Sequence, residues 1–348
     1  MTDFEKVWDF KNLYEAHKKA RLGKRDKTEV IEFEMRLAEN LTRLSDEIRT
    51  KTYRLGGYYS FMIYDPKERE IQALHYADRV VQHCLCDQVV GPLIDRHLIF
   101  DNAACRQGKG TLFAIQRLTL FMQKYYWKFG AQGYVLKCDI RKYFNNIDHE
   151  ILKDKFRRII DDPDIRQLLE QIIDSYEYSP GKGLPMGNQT SQWFALYYLD
   201  GLDRLIKEQF RVKYYSRYMD DCVLICRDKD ELRKILKAAK KIVEEELKLE
   251  FNEKTQIFPL KNGVDYLGFH FYLTDSGKVI KKLRLHTKQK YKKRLAYYMY
   301  AYPRGKCTAA QAKDTITSYH AHLSHGHTWH LERKLLKNFV LSKRGGNS

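Results

Sequence analysis

Asp139 closes the β-rich run GYVLKCDI, and 81 residues later Asp220 and Asp221 sit side by side in YMDD, between the apolar stretches VKYYSRY and CVLIC. A carboxylate at the end of one strand and two at the tip of a hairpin meet if those strands are neighbours. Such a set suits two divalent cations about 3.5 to 4 Å apart, which neutralise the attacking and leaving oxygens of an in-line phosphoryl transfer. Mg²⁺ needs only a few carboxylates besides water and substrate phosphates, so two or three Asp on a rigid sheet suffice. Each piece alone is ordinary turn chemistry. Their combination, with the Gly/Pro loop SPGKGLPMGNQTSQ between them, is far more specific.

The elements that must position these residues follow from periodicity. Phe4, Val7, Trp8, Phe10 and Leu13, then Val30, Ile31, Phe33, Met35, Leu37, Leu41 and Leu44, predict two helices joined by a basic link over Lys18 to Lys27. YYSFMIYDPKEREIQAL (58–74) predicts two short strands about a Pro turn, with Lys67 and Arg69 at or just past its tip, and a helix follows from about Asp78 to Val90. DNAACRQGKGT (101–111) reads either as a solvated loop before a helix or as a backbone cradle for phosphate. Tyr134, Leu136 and Cys138 alternate with Val135, Lys137 and Asp139, which makes a strand; helix resumes after Ile147. YYSRYMDDCVLICRD offers a hairpin around Met219 to Asp221, 230–248 a charged amphipathic helix, and 249–278 further strands and turns. From about Lys281 the pattern is helical and basic. The expected class is α+β, an antiparallel sheet with helices on one face.

Charge narrows the partners. The 348 residues carry 63 Lys and Arg against 45 Asp and Glu, but Ser276 to Ser348 alone hold 17 against 2. A C-terminal arm of that density attracts a polyanion, either nucleic acid or an anionic membrane surface. Nucleic acid is favoured, because no apolar run approaches 18 residues and the opening MTDFEKVWDF does not read as a signal peptide. A soluble, cytoplasmic protein is expected. Seven cysteines without zinc-finger spacing point to free thiols in a reducing compartment.

Taken in order, Lys67 and Arg69, CRQGKG (105–110), KCDIRKYFNNIDH (137–149), GLPMGNQTSQ (183–192), YMDD (218–221), NEKT (252–255) and YLGF (266–269) resemble a reverse transcriptase of the right-hand polymerase fold along almost the whole chain. The resemblance implies an RNA-directed DNA polymerase with an N-terminal helical extension (1–52), fingers (53–133), palm (134–275) and basic helical thumb (276–348). It implies that Asp139, Asp220 and Asp221 are catalytic and, with the Ile140 carbonyl, hold two Mg²⁺, which Mn²⁺ can replace. Phe144 would be the gate that excludes a 2′-OH and so selects dNTPs. Lys67, Arg69 and Arg106 would grip the triphosphate, Lys254 would sit near the incoming nucleotide, and Tyr266, Leu267, Gly268 and Phe269 would form a primer grip.

One motif narrows the family. Met186 precedes Gly187 where most reverse transcriptases have Gln, and the motif ends in Ser191-Gln192 where most have Ser-Pro. That pattern is similar to reverse transcriptases of diversity-generating retroelements, among the group II intron-like bacterial enzymes. The resemblance implies a cDNA copied from a retroelement template RNA with frequent errors opposite adenine, and a small basic accessory protein as partner. Met186, Gly187 and Gln192 would then contribute to the dNTP site. Loss of the Gln amide would remove hydrogen bonds that discriminate in the transition state. Lys281, Lys282, Arg284, Lys288, Lys290, Lys292, Lys293 and Arg294, in a segment spaced for an amphipathic helix, are expected to grip the primer-template duplex. His320, His322, His325, His327 and His330 lack partners at metal-ligand spacing and read as packing or RNA contacts. Two alternatives stand: another bacterial reverse transcriptase, of a retron or a defence system, and a nucleic-acid-binding protein whose polymerase fold has become structural.

Overall fold

The computed structural model describes residues 1–63 and 68–342, with backbone alone at Arg69; Lys67 lies outside the described residues. Four short helices open the chain: α1 (Asp3–Trp8), α2 (Phe10–Ala20), α3 (Thr28–Met35) and α4 (Leu37–Arg49). Periodicity predicted two, and the breaks have local causes. Asp9 leaves helical geometry with ψ 126°, and its carboxylate accepts the Asn12 N–H to restart the helix as a cap. Arg36, at φ −127°, separates α3 from α4. Apolar spacing registers neither event, because the buried stripe continues across both.

The expected hairpin follows as β1 (Tyr58–Ile63) and β2 (Arg69–Leu74), paired antiparallel with Tyr58 opposite Leu74. α5 (Tyr76–Leu85) runs through a π-helical stretch at Cys86–Val90 into α6 (Gly91–His97), so this helix extends beyond its expected end. α7 (Thr111–Phe129) then leads into β3 (Tyr134–Cys138). After β3 come α8 (Tyr143–Asn146), α9 (His149–Arg157), α10 (Pro163–Asp174), α11 (Gln189–Tyr198) and α12 (Asp200–Arg204). Next are β4 (Tyr214–Tyr218), β5 (Asp221–Cys226), α13 (Lys229–Lys240) and β6 (Gln256–Pro259).

These last four strands make one antiparallel sheet in the order β4-β5-β3-β6. Both of its faces are covered, which corrects the one-sided arrangement read from element order. Leu136, Cys138, Cys222 and Leu224 join a core with Phe156 of α9, Phe194 of α11 and Ile235 of α13. Val135, Val223 and Ile225 point the other way, into a second core with Ile115, Leu118 and Met122 of α7. The uninterrupted apolar run CVLIC is the mark of a strand buried on both sides.

A second sheet of β7 (Val264–Tyr266), β8 (Phe269–Leu273) and β9 (Val279–Leu283) supplies Phe269 and Phe271 to that second core. β9 overturns the helical reading of Lys281 and Lys282: both lie in a strand, because the Asp275-Ser276-Gly277 turn folds VIKKL back on β8 with Val279 and Leu283 inward. The boundary drawn between 275 and 276 therefore falls inside this hairpin. Helix begins only with α14 (Leu285–Ala301), followed by α15 (Ala309–Leu323) and α16 (Trp329–Leu336). Among the described residues no helix is long and apolar enough to cross a membrane. A helical and hairpin region, a central antiparallel sheet and a C-terminal helical region make up the right-hand polymerase fold.

Candidate active site

The sheet register brings the three carboxylates to one edge. Cys138, the last residue of β3, pairs with Cys222 of β5, so Asp139 and Asp221 flank that pair on the same side. β4 and β5 close with Tyr218 opposite Asp221, which leaves Met219 and Asp220 as a two-residue loop. Asp139 is held through its backbone. Its N–H donates to the Thr255 hydroxyl (3.2 Å), and its carbonyl accepts the Asn252 N–H (2.7 Å). Ile140 bridges to Phe251, so the backbone of the strand end is pinned by the segment 251–255.

Burial dominates the electrostatics. It pushes the Asp220 carboxyl up to about 7, and the charge of Asp139 together with a carboxyl–carboxyl hydrogen bond to it pushes the same way. Burial likewise raises Asp221 to about 6, opposed by Lys137, whose Nζ stands 3.3 Å from Asp221 Oδ2. Lys137 Nζ also donates to the Asp265 carbonyl (2.6 Å), tying β7 to the acidic edge. Asp221 Oδ1 is buried without a hydrogen-bond partner. An orphaned carboxylate oxygen beside two further carboxylates fits hard divalent cations with oxygen ligands. Among the described residues no group of three His, Cys, Asp or Glu side chains is arranged to hold a metal ion as it stands. Mg²⁺ at these carboxylates would draw its further ligands from water and substrate phosphates.

The rest of the expected site divides. Phe144 is half-buried, edge-on to Tyr143 (5.7 Å), and its carbonyl accepts the Leu184 N–H (2.8 Å), which joins it to the Gly/Pro loop. In that loop Gly183 needs its missing side chain: at φ +117° a Cβ would lie 2.7 Å from the Tyr178 backbone nitrogen. Gly187 faces Ile71 of β2, and the Asn188 amide donates to the Tyr58 hydroxyl, so the loop that carries Met186 is joined to the β1–β2 hairpin. Gln192 instead lines a cleft with Lys19, Asp87 and Trp193, which none of the three carboxylates Asp139, Asp220 and Asp221 shares. Arg106 is also placed differently. Its guanidinium is held by Asp95 (2.5 Å) and by the carbonyls of Ile99 and Asn102, so it organises the CRQGKG loop and is not presented to a triphosphate. Lys254 is exposed, and Arg69 is described only by its backbone pairing with Ile63.

Tyr266 and Phe269 close the β7–β8 turn, and Leu267 and Gly268 both have positive φ, 46° and 89°. His322 of α15 supports this turn. Its ring lies tilted against Phe269 at 4.8 Å, and Nδ1 meets the Tyr291 hydroxyl at 2.7 Å. A Cβ on Gly268 would lie only 2.9 Å from the same ring. His327 accepts the Lys281 N–H and His320 pairs with Glu332, so these three histidines pack the C-terminal helices. Lys281 is half-buried and Arg284 is paired with Asp265 (3.1 Å), whereas Lys292 and Lys293 are exposed on α14. Lys282 is exposed on β9; Lys288, Lys290 and Arg294 are half-buried on α14.

Sequence reading gave no role to Lys137, Thr255, Asn252 and Arg217; His322 it read as packing or an RNA contact, and here it packs. Arg217 is fully buried beneath the Met219-Asp220 loop and bound to Asp203 (2.6 Å). The signal for Arg217 and Lys137 was present: a single cation inside an otherwise apolar or aromatic strand needs a partner to be buried.

Comparison with known proteins follows the same lines. Among solved structures the chain is similar to a telomerase from Candida albicans in complex with a fragment of telomeric RNA, at 11% identity and a TM-score of 0.49, over 72% of this chain and 52% of that one. It is also similar to apo telomerase from Candida tropicalis truncated from its C-terminal domain, at 14% identity and a TM-score of 0.48, over 66% and 55% respectively. The chain thus spans about half the length of these proteins. No curated protein matches. Residues 62–271, which carry β2, all three carboxylates and the β7–β8 turn, match the family described as reverse transcriptase (RNA-dependent DNA polymerase), and the chain belongs to that family.

Proposed function

We propose that the chain is an RNA-directed DNA polymerase that extends a primer on an RNA template with dNTPs. The observation that carries this reading is the meeting of Asp139 with Asp220 and Asp221 at one edge of the sheet, with an oxygen of Asp221 left unpaired. Asp139, Asp220, Asp221 and the Ile140 carbonyl would hold two Mg²⁺ or Mn²⁺ ions. When bound, these ions supply charge neutralisation at the attacking and leaving oxygens of phosphoryl transfer. The primer 3′-oxygen attacks the α-phosphorus of the dNTP and pyrophosphate leaves. Phe144, braced by the Gly/Pro loop, limits the space at the sugar, while Arg69, Lys67 and Lys254 balance triphosphate charge. Residues 1–52 would be a helical extension, 53–133 fingers and the sheet region the palm. The basic helices would be a thumb that reads duplex shape through phosphate contacts.

Within the family, Met186 and Ser191-Gln192 favour the diversity-generating retroelement class over retron or defence enzymes. On that reading the enzyme works in a bacterial cytoplasm with a small basic accessory protein and makes errors at template adenines. Mg²⁺-dependent primer extension on an adenine-containing RNA, with products sequenced and Asp220→Ala run in parallel, tests both levels. Extension lost in Asp220→Ala supports the polymerase, and errors concentrated opposite adenine support the subclass. Accurate extension removes the subclass. Absence of extension with the native RNA and accessory protein present removes the polymerase.

A further inference from the structure

The two-residue loop that carries Asp220 has an unusual backbone. Hairpin loops of this length take turns with positive φ, and where only the first loop residue is positive that residue is ordinarily glycine. Here Met219 holds φ +56°, and Asp220 does not share the sign. An L side chain in that region crowds its own carbonyl, so the turn relaxes unless something restrains it.

The restraint lies directly beneath. Arg217 is fully buried, and its Nη1 donates to the Met219 carbonyl at 2.9 Å. The remaining guanidinium nitrogens are fixed by other partners. Nε donates to Asp203 Oδ1 (2.8 Å), and Nη2 donates to Asp203 Oδ2 (2.6 Å) and to the Leu196 carbonyl (3.0 Å). Asp203 is in turn held by the Tyr215 hydroxyl at 2.6 Å. The Arg217 backbone is locked as well, its N–H donating to the Asp101 carbonyl and its carbonyl accepting the Ala103 N–H. A planar fork anchored on two sides leaves one N–H in a fixed direction, and that N–H meets the strained peptide one bond before Asp220.

We propose that Arg217 is a positioning residue whose clamp on the Met219 carbonyl sets the direction of the Asp220 carboxylate. This deepens the polymerase reading and rests on it. A buried ion pair kept only for stability is replaceable by two apolar side chains of similar volume. Such a replacement supplies no donor to Met219, and that difference separates the two roles.

The experiment is steady-state primer extension by the full-length chain with its RNA template and Mg²⁺, with thermal melts of every variant. Wild-type extension abolished by Asp220→Ala is the control; if it is absent, the polymerase reading has failed and not the clamp. The double variant Arg217→Met/Asp203→Leu keeps a packed interior, and its kcat is expected to fall about 100-fold, the order of loss a misplacement near 1 Å produces, with dNTP KM little changed. Arg217→Lys, which keeps the charge for Asp203 but not the fork, is expected to lose kcat in the same way. Adding Met219→Gly makes positive φ free of strain and is expected to restore at least about 10-fold to either variant. Folded variants with kcat near wild type, or no recovery on adding Met219→Gly, overturn the proposal. So does a collapse of every Arg217 variant in the melt that Met219→Gly leaves uncorrected, since that marks a purely structural ion pair.

Discussion

Replacing Asp220 by its neutral isostere is expected to stabilise the metal-free protein while abolishing extension. The fold raises the Asp220 carboxyl from 3.8 to about 7, chiefly by burial and further by Asp139. A carboxyl raised in the folded state contributes stability that is full below its unfolded pKa and is lost as pH rises through the folded value. Three units at about 1.4 kcal/mol each amount to about 4 kcal/mol of strain by about pH 8. Burial and the charge of Asp139 both oppose ionisation at position 220, so a neutral side chain there relieves most of the loss. Urea denaturation in chelator at about pH 5 and about pH 8 reads the difference directly. Wild type is expected to lose several kcal/mol across that interval relative to Asp220→Asn, which at about pH 8 is the more stable protein by about 2 to 4 kcal/mol. Excess Mg²⁺ is expected to close the gap by stabilising wild type alone, as linkage requires of a ligand bound by the folded state. If Asp220→Asn is less stable than wild type in chelator at the higher pH, or leaves the pH dependence unchanged, the argument from burial is wrong.

Lys137 is the cation that holds Asp221 down, so Lys137→Met is expected to raise that carboxyl above about 6 and to move the acidic limb of the pH–rate profile upward; an unmoved limb counts against it. His322→Ala removes the ring beneath the Leu267-Gly268 turn and leaves the Tyr291 hydroxyl without that partner. The expected cost is about 1 to 2 kcal/mol in a melt, together with weaker primer-template binding in a titration. Lys292→Ala and Lys293→Ala, exposed on α14, are each expected to reduce the slope of log affinity against log salt by about 1 without altering sequence preference.

Much of the fold is legible because it rests on local patterns. Alternation in YVLKC, the apolar run CVLIC and the breaks around them identify β3 and β5; that CVLIC is covered on both sides is written in its lack of a polar face, although element order alone places helices on one face. What is not legible depends on events smaller than a period. Asp9 divides one apolar stripe into two helices with a single cap, and Ser276-Gly277 turns the basic segment back into β9 before the helix starts. In both places charge and hydrophobicity continue smoothly while the backbone changes course.

The candidate site divides along the same line. Asp139, Asp220 and Asp221 are readable because a strand end and a hairpin tip each expose their residue types in a fixed place. The cations are readable only in part: a lone cation in a strand signals a buried partner, but which anion or carbonyl it finds is decided by packing. Arg106 in a Gly-rich loop looks free for phosphate, yet Asp95 and two carbonyls claim it. Arg217, in the middle of a strand, looks structural, yet it reaches the peptide that carries Asp220. An exposed guanidinium is adaptable and a buried one is not, so the buried arginine is the better instrument for placing a carboxylate. A basic residue within an otherwise apolar or aromatic strand beside an acidic turn therefore points to positioning more strongly than basic residues in a loop point to binding.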